Sequence, residues 1–148
     1  MINTPQKDIF TKDKNMYSFI ETTDKNCVFA AYHGNYRLDI PNIAKRAIFS
    51  GNGFPFNESY FKKYQSRKEL MSGTRKDIDK IEGSWEGEKV NNFFRTKRPK
   101  DFLKISQKYK LDYIVIENEY SSNFKNYSPN FENNKVKIYK ISDFKEHK

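Results

Sequence analysis

The chain has 148 residues, a formal net charge of +9 and a single cysteine, Cys27. This length suits one domain with a hydrophobic core of its own, so no disulfide or metal is needed to stabilise it. One cysteine excludes an internal disulfide and any zinc site built from several cysteines. No apolar run is long enough for a membrane-spanning helix, and the first residues lack the apolar segment of a secretory signal.

The first part of the sequence predicts one helix followed by two short strands. Apolar residues at helical spacing predict the helix over residues 13–22, with Asp13 as its N-cap. The apolar runs Cys27–Tyr32 and Arg46–Ser50 predict the strands, because each is short and is followed by a turn that contains glycine. The residue before a proline avoids the helical region, so Ile40 is expected to be extended in a polar loop between the strands.

Three helices are predicted in the middle of the chain. Asn57 as N-cap and Gly73 as the residue after the last turn bound the first helix, over about 58–71. A charged, ambiguous stretch follows, and then a weaker pattern predicts a helix over Trp85–Thr96. Pro99 suits the first position of the third helix, where no backbone N–H is needed.

The third helix leads directly into Asp112–Glu117, the best strand pattern in the chain. A helix that feeds into a buried strand is the second half of a crossover between parallel strands. Residues 118–134 are polar and predict a loop, whereas Lys135–Ile141 alternates polar and apolar residues, as a half-exposed final strand does.

These elements predict an α/β fold class. We expect one domain over residues 1–148, with flexible tails at 1–12 and 144–148. Its sheet is predicted to be small and mainly parallel, with about four strands, flanking helices and an antiparallel C-terminal edge strand.

Four residues are candidates for binding an anionic ligand. Arg37, Arg46 and Arg67 stand in a composition that strongly favours lysine, and a guanidinium suits planar contacts to carboxylate, phosphate or backbone. The same contacts also serve to hold loops together internally. His33 follows a predicted strand, where ligands bind in open α/β sheets, although a loop histidine also bonds to nearby backbone.

The sequence gives little support for a metal site, a catalytic site or a cofactor site. No cluster of His, Asp and Glu has the spacing of metal ligands, and no motif predicts a catalytic residue or a cofactor. Cys27 is expected to be a buried core thiol rather than a nucleophile. Gly51-Asn52-Gly53 lacks the order of a phosphate-binding loop and predicts a turn.

The positive charge is concentrated between Tyr60 and Lys110, where 15 Lys/Arg face 7 Asp/Glu. A cationic surface attracts polyanions, which favours a nucleic-acid or membrane partner, whereas scattered solvated lysines are the ordinary alternative. Aromatic residues make up 16% of the chain, but they fall at apolar positions of the predicted elements. Core packing therefore explains most of them better than stacking on bases does.

The order of several segments is similar to that in a known group of proteins. A helix that ends in ETT-D comes first, and it is followed by NCVFAAY, NYRLDIP, KRAIFSG, FPF, KKYQSR, FLKISQKYKLDYIVIE and VKIYKIS. Over about residues 13–143 the chain resembles the C-terminal soluble domain of an uncharacterised group of bacterial polytopic membrane proteins. Those proteins are similar to C-type glycosyltransferases, which use lipid-phosphate-linked sugars. The group usually has tryptophan where this chain has Tyr64. The matching positions are Arg37, Arg46, Pro55, Phe56, Tyr64 and Arg67.

This resemblance implies a non-catalytic soluble accessory domain at the extracytoplasmic face of the inner membrane, in envelope glycan or lipid-linked sugar metabolism. In such enzymes the catalytic acid lies in membrane loops that are not among these residues. The implied partners are the membrane surface or a lipid-linked sugar phosphate, with no cofactor.

The alternative is a free cytoplasmic nucleic-acid-binding protein that uses the basic window at 60–110. A steep dependence of its binding on salt concentration would identify it. A third reading is a soluble enzyme that uses His33 or a carboxylate pair, and it predicts lost activity in His33→Ala.

Overall fold

The computed structural model describes residues 5–31, 34–49, 66, 69–71 and 73–145, and for 5–13, 34–35, 37–38 and 86–87 it describes the backbone alone. None of the helices in these ranges is long and apolar enough to cross a membrane. The helices are α1 (Pro5–Thr22), α2 (Gly34–Ile43), α3 (Arg75–Asp79), α4 (Glu86–Arg95) and α5 (Pro99–Lys108). The strands are β1 (Val28–Ala31), β2 (Ala47–Ile48), β3 (Tyr113–Glu117), β4 (Phe131–Glu132) and β5 (Val136–Lys140).

The strands form one mixed sheet in the order β2-β1-β3-β5-β4. Strand β1 pairs in parallel with β2 and β3, whereas β5 pairs antiparallel with β3 and β4. The predicted α/β fold and the parallel crossover into β3 are therefore confirmed. The predicted edge position of the last strand is wrong, because Phe131 and Glu132 pair with Ile138 and Lys137 and so place β4 outside β5. This short strand lies in the stretch predicted to be a loop.

Side chains from alternate strand positions pack into a separate core on each face of the sheet. On one face, the side chains of β1, β3 and β5 meet α1 and α2 in a cluster that includes Met16, Ile20, Phe29, Val115, Ile138 and Ile40. On the other face, they meet α4, α5 and the turns after β3 and β5 in a cluster that includes Ile114, Ile116, Tyr139, Phe94, Phe102, Ile105, Phe124 and Phe144. Phe144, the first residue of the expected C-terminal tail, is 1% exposed.

The two parallel connections run over opposite faces of the sheet. The connection from β1 to β2 uses α2, and the one from β2 to β3 uses the path that ends in α5. The strand order therefore reverses at β1 and β3, and the carboxyl ends of these strands define a topological switch point. His33, which follows β1, lies outside the described residues.

The expectation that Ile40 is extended is wrong. Ile40 belongs to α2, and Pro41 lies inside that helix. The Ile40 side chain is fully buried against the sheet, as is Ala44 one turn later. Burial of an isoleucine contributes about 1.5–3 kcal/mol, which offsets the disfavoured helical conformation before a proline.

Helix boundaries differ from the predictions at two places. Helix α1 begins at Pro5, so Asp13 lies within the helix and is not its N-cap. In the stretch that the sequence left ambiguous, Thr74 and Asp77 form a capping box that starts α3. The prediction for Gly73 is confirmed, because it has φ +85° and donates its N–H to the carbonyl of Glu69. The predicted N-cap Asn57 lies outside the described residues.

Helix α2 is followed by a left-handed residue that is not glycine. Lys45 has φ 56°, and the N–H groups of Ala44 and Arg46 both donate to the Ile40 carbonyl. A residue with a Cβ is disfavoured in this conformation by about 1 kcal/mol or more.

We therefore expect Lys45→Gly to increase the free energy of unfolding by about 1 kcal/mol, because glycine adopts this conformation without steric cost. Urea denaturation of both proteins measures the difference. Lys45→Ala is the matched control, since it removes the side chain and keeps the strained backbone. A glycine variant no more stable than the alanine variant would contradict the prediction.

Candidate anion-binding surface

The structure describes the side chain of one of the four predicted site residues. His33 and Arg67 lie outside the described residues, and Arg37 is described only through its backbone in α2. Whether these three residues come together stays a prediction. Arg46 is described in full and lies just before β2.

The Arg46 guanidinium is fully occupied by the protein itself. Its Nη2 donates to the carbonyls of Glu21 and Thr23, at 2.8 and 2.6 Å. Its Nη1 donates to the carbonyls of Ala44 and Lys45, both at 3.2 Å, and its Nε donates to Thr23 Oγ1 at 3.2 Å. These bonds use all five N–H donors of the side chain. Arg46 therefore joins the C-terminal ends of α1 and α2, which is the structural alternative, and retains no donor for an anionic ligand.

Arg46→Lys is expected to lower the free energy of unfolding by about 1–3 kcal/mol, because an ammonium cannot reach four carbonyls and a hydroxyl at once. Thermal denaturation of the variant measures this loss. Arg98→Lys is the matched control, since the Arg98 side chain is exposed and a surface change of this kind stays within about 0.5 kcal/mol. Equal melting temperatures for the two variants would refute the structural role of Arg46.

Cys27 is half-buried rather than buried, and its thiol is not activated. Burial, followed by the negative charges of Asp112 and Asp24, raises its pKa. A raised pKa lowers the thiolate fraction at neutral pH, and the thiolate is the nucleophilic form. This environment agrees with the prediction that Cys27 is not a nucleophile.

Helix α5 begins where the sequence predicts it. The residue before Pro99 is extended, with φ −112° and ψ 165° at Arg98, so α5 begins as a helix separate from α4. Asp101 Oδ2 accepts the Arg98 N–H at 2.7 Å and places a negative charge in the first turn. Phe102 and Ile105 are buried against the sheet, which fixes the rotation of the helix about its axis.

This rotation leaves a dense set of cations on the outside of the helix. Residues 97–110 contain six cations and one carboxylate, Asp101. Apart from Lys97, which is half-buried, the cations are exposed. We call this set the α5 basic surface: Lys97, Arg98, Lys100, Lys104, Lys108 and Lys110.

Most of these cations lack a charged partner. Lys110 pairs with Asp112 at 3.3 Å. Within the part of the chain that the structure describes, the other five form no ion pair with a carboxylate. Lys108 and Lys97 instead lie over the rings of Tyr109 and Phe93, with Nζ 5.6 and 4.6 Å from the ring centroids. Among the described residues, no carboxylate therefore forms an ion pair that would compete with an external anion for these five cations.

Two grooves flank α5, one on each side. The first, of about 290 Å³, is called the lysine groove and is lined by Leu70, Lys97, Asp101, Lys104, Ile105, Lys108 and Tyr109. The second, of about 520 Å³, is lined by Arg98, Pro99, Lys100, Leu103, Asn123, Asn126, Tyr127, Phe144 and Lys145. Both grooves combine apolar side chains with cations.

Lys97 is the least exposed cation of the lysine groove. Burial lowers its pKa from the usual value of 10.5, and the negative charges of Asp101 and Asp77 oppose that shift without reversing it. Folding therefore disfavours the charged form, a cost that is present below the lowered pKa and is relieved as the pH rises through that value. A bound anion would relieve the same cost at neutral pH.

The described residues contain no cluster of metal ligands and one strongly exposed large apolar side chain. No three His, Cys, Asp or Glu side chains in these ranges lie close enough together to hold a metal ion. Trp85 is the one large apolar side chain there that is strongly exposed, at 66%, and it lies between the acidic residues Glu82 and Glu88 in sequence. An acidic neighbourhood does not favour nucleic acid.

Comparison with known proteins does not assign the chain to a family. No family model matches the chain, and no curated protein or solved structure matches it at a significant level. The resemblance to domains of glycosyltransferase-like membrane proteins therefore stays a prediction.

Sequence reasoning found both the basic window at 60–110 and the helix that starts at Pro99, but it did not identify the cations of that helix as one surface. The available signal was the spacing of Lys100, Lys104 and Lys108, which recur every four residues and therefore share one side of a helix. Whether these lysines have carboxylate partners depends on distances that the sequence does not contain.

Proposed function

We propose that this chain is a non-catalytic accessory domain that binds anionic lipid headgroups through the α5 basic surface. The proposal rests on one observation: five cations on and beside a single helix have no carboxylate partner among the described residues. Unpaired cations on one face attract a surface of negative charge and displace its counterions.

The expected strength of this contact agrees with an accessory role. Each Lys or Arg close to an anionic membrane contributes about 1 kcal/mol, so five cations give roughly 5 kcal/mol. This corresponds to a dissociation constant of about 0.1–1 mM. Such a contact orients a domain that another segment already holds at the membrane, because tethering raises the effective concentration.

A lipid surface is favoured over nucleic acid by the surroundings of the cations. The grooves beside α5 have apolar floors, formed on one side by Ile105, Leu70 and Tyr109. Single-stranded nucleic acid is bound by cations combined with exposed aromatic faces, and Phe94 and Phe102 do not supply such faces because they are buried in the core. The sequence resemblance points the same way, toward an extracytoplasmic domain of envelope glycan metabolism with a lipid-linked sugar phosphate as the anion.

The test is co-sedimentation with vesicles of phosphatidylglycerol mixed with phosphatidylcholine, against pure phosphatidylcholine, at about 50 and 300 mM salt. We expect binding only to the anionic vesicles and weaker binding at the higher salt, because salt screens exposed charges. Replacing Lys100, Lys104 and Lys108 by Gln is expected to weaken binding roughly 100-fold, at about 1 kcal/mol per lysine.

The matched control replaces Lys25, Lys125 and Lys140 by Gln, which removes three exposed charges elsewhere. This control is expected to lose much less affinity. Equal losses in the two triple variants would mean that net charge alone drives binding and would contradict a specific surface. Tighter binding to an oligonucleotide than to the vesicles, with a steep salt dependence, would favour the nucleic-acid alternative instead.

A further inference from the structure

The lysine groove has an apolar floor and a cationic rim. Leu70, Ile105 and Tyr109 supply the apolar surface, and the Tyr109 ring is held edge-on against Phe49 with centroids 5.8 Å apart. Lys97, Lys104, Lys108 and Asp101 supply the charged atoms, which gives the lining a net charge of +2. A ligand that complements both parts is an anion attached to an apolar group.

Lys97 marks the place of the anionic group. Its ammonium lies 4.6 Å from the centre of the Phe93 ring and makes no hydrogen bond or ion pair with the described residues. Asp101, the acidic residue that lines the groove, accepts the Arg98 N–H at 2.7 Å, and its charge only partly offsets the desolvation of Lys97. The remaining cost of the partly desolvated ammonium is removed by an arriving carboxylate or phosphate oxygen.

The apolar floor of the groove favours a ligand with an apolar part over a purely polar ligand. Inorganic phosphate would leave Leu70, Ile105 and Tyr109 in contact with water, whereas an alkyl chain would remove their apolar surface from water at about 25 cal/mol per Å². The volume of about 290 Å³ lies at the lower end of the range for small-molecule sites, which fits one chain rather than two.

We propose that the lysine groove binds one molecule of an amphiphilic anion that carries a single alkyl chain. The chain lies along Leu70, Ile105 and Tyr109, and the headgroup meets the ammonium of Lys97, with Lys104 and Lys108 at the rim. A free alkyl carboxylate and the phosphate end of a lipid share this chemistry. The inference deepens the proposed function, on which it rests for the role of α5, and adds a stoichiometric site that operates without a membrane.

Isothermal titration calorimetry tests the site with n-decyl phosphate below its micellar concentration. Inorganic phosphate tests the headgroup alone, decyl maltoside tests the chain without charge, and decanoate compares carboxylate with phosphate. We expect one site per chain for the two alkyl anions and at least tenfold weaker binding of the other two ligands. Equal affinity for inorganic phosphate or for decyl maltoside would overturn the proposal.

Lys97→Met removes the charge and keeps an apolar side chain of similar length. We expect it to weaken decyl phosphate binding at least tenfold, whereas Lys140→Met, which alters an exposed residue that lines neither groove, leaves binding unchanged. Lys104→Met, which alters an exposed residue, provides a second groove variant whose fold is not at risk, and we expect a smaller loss. Equal affinities in all three variants would refute the site.

Two further measurements separate this inference from the proposed function. The ¹³Cε signal of Lys97 reports its titration, and bound decyl phosphate is expected to raise the pKa of Lys97 toward its usual value, because an anion favours the charged form. An unchanged titration in the saturated protein would contradict the assigned contact. If the protein binds anionic vesicles but no monomeric decyl phosphate, the groove proposal is wrong while membrane binding stands.

Discussion

Helix α5 can bury Phe102 and Ile105 only by turning its cations away from the sheet, and the proposed binding surface depends on this constraint. The Phe102 ring contacts the rings of Phe94 and Phe124, with centroids 5.6 and 6.1 Å apart. These contacts tie α5 to α4 and to the turn after β3. Because the helix cannot rotate without opening this aromatic core, its lysines stay fixed on the outer side.

The two kinds of basic residue serve different purposes in this domain. Arg46 directs all five donors inward to backbone and hydroxyl oxygens, which a planar guanidinium does well. The lysines of α5 are exposed and form no ion pair with a carboxylate that the structure describes, whereas Lys110, just after the helix, pairs with Asp112. An ammonium on a flexible stem suits a diffuse or mobile anion, such as a lipid headgroup, because it requires no fixed geometry.

The sequence predicted elements well where local and global preferences agree. In α5, Pro99 at the first position, Asp101 in the first turn and buried Phe102 all indicate the same helix, and the structure has it. At Pro41 the local preference for an extended residue 40 conflicts with the burial of Ile40, and burial prevailed. That outcome depends on the sheet, which a local pattern does not reveal.

The site was less predictable than the fold. The positive window at 60–110 was visible, but charge in a sequence does not show whether each cation has a partner. Arg46 illustrates the reverse problem, because its partners Glu21 and Thr23 lie more than 20 residues away and are known only once α1 and α2 meet. Both cases depend on long-range distances, whereas helices and strands depend mainly on nearby residues.

The most direct test of the account is to record amide ¹H–¹⁵N spectra of the domain while anionic bicelles containing phosphatidylglycerol are added. The account predicts that chemical-shift changes are concentrated in residues 97–110 and that neutral bicelles cause none. Changes concentrated on α1 and α2, on the opposite face of the sheet, would show that another surface meets the lipid. That result, or a spectrum unaffected by either bicelle, would contradict the central claim that the α5 basic surface binds anionic headgroups.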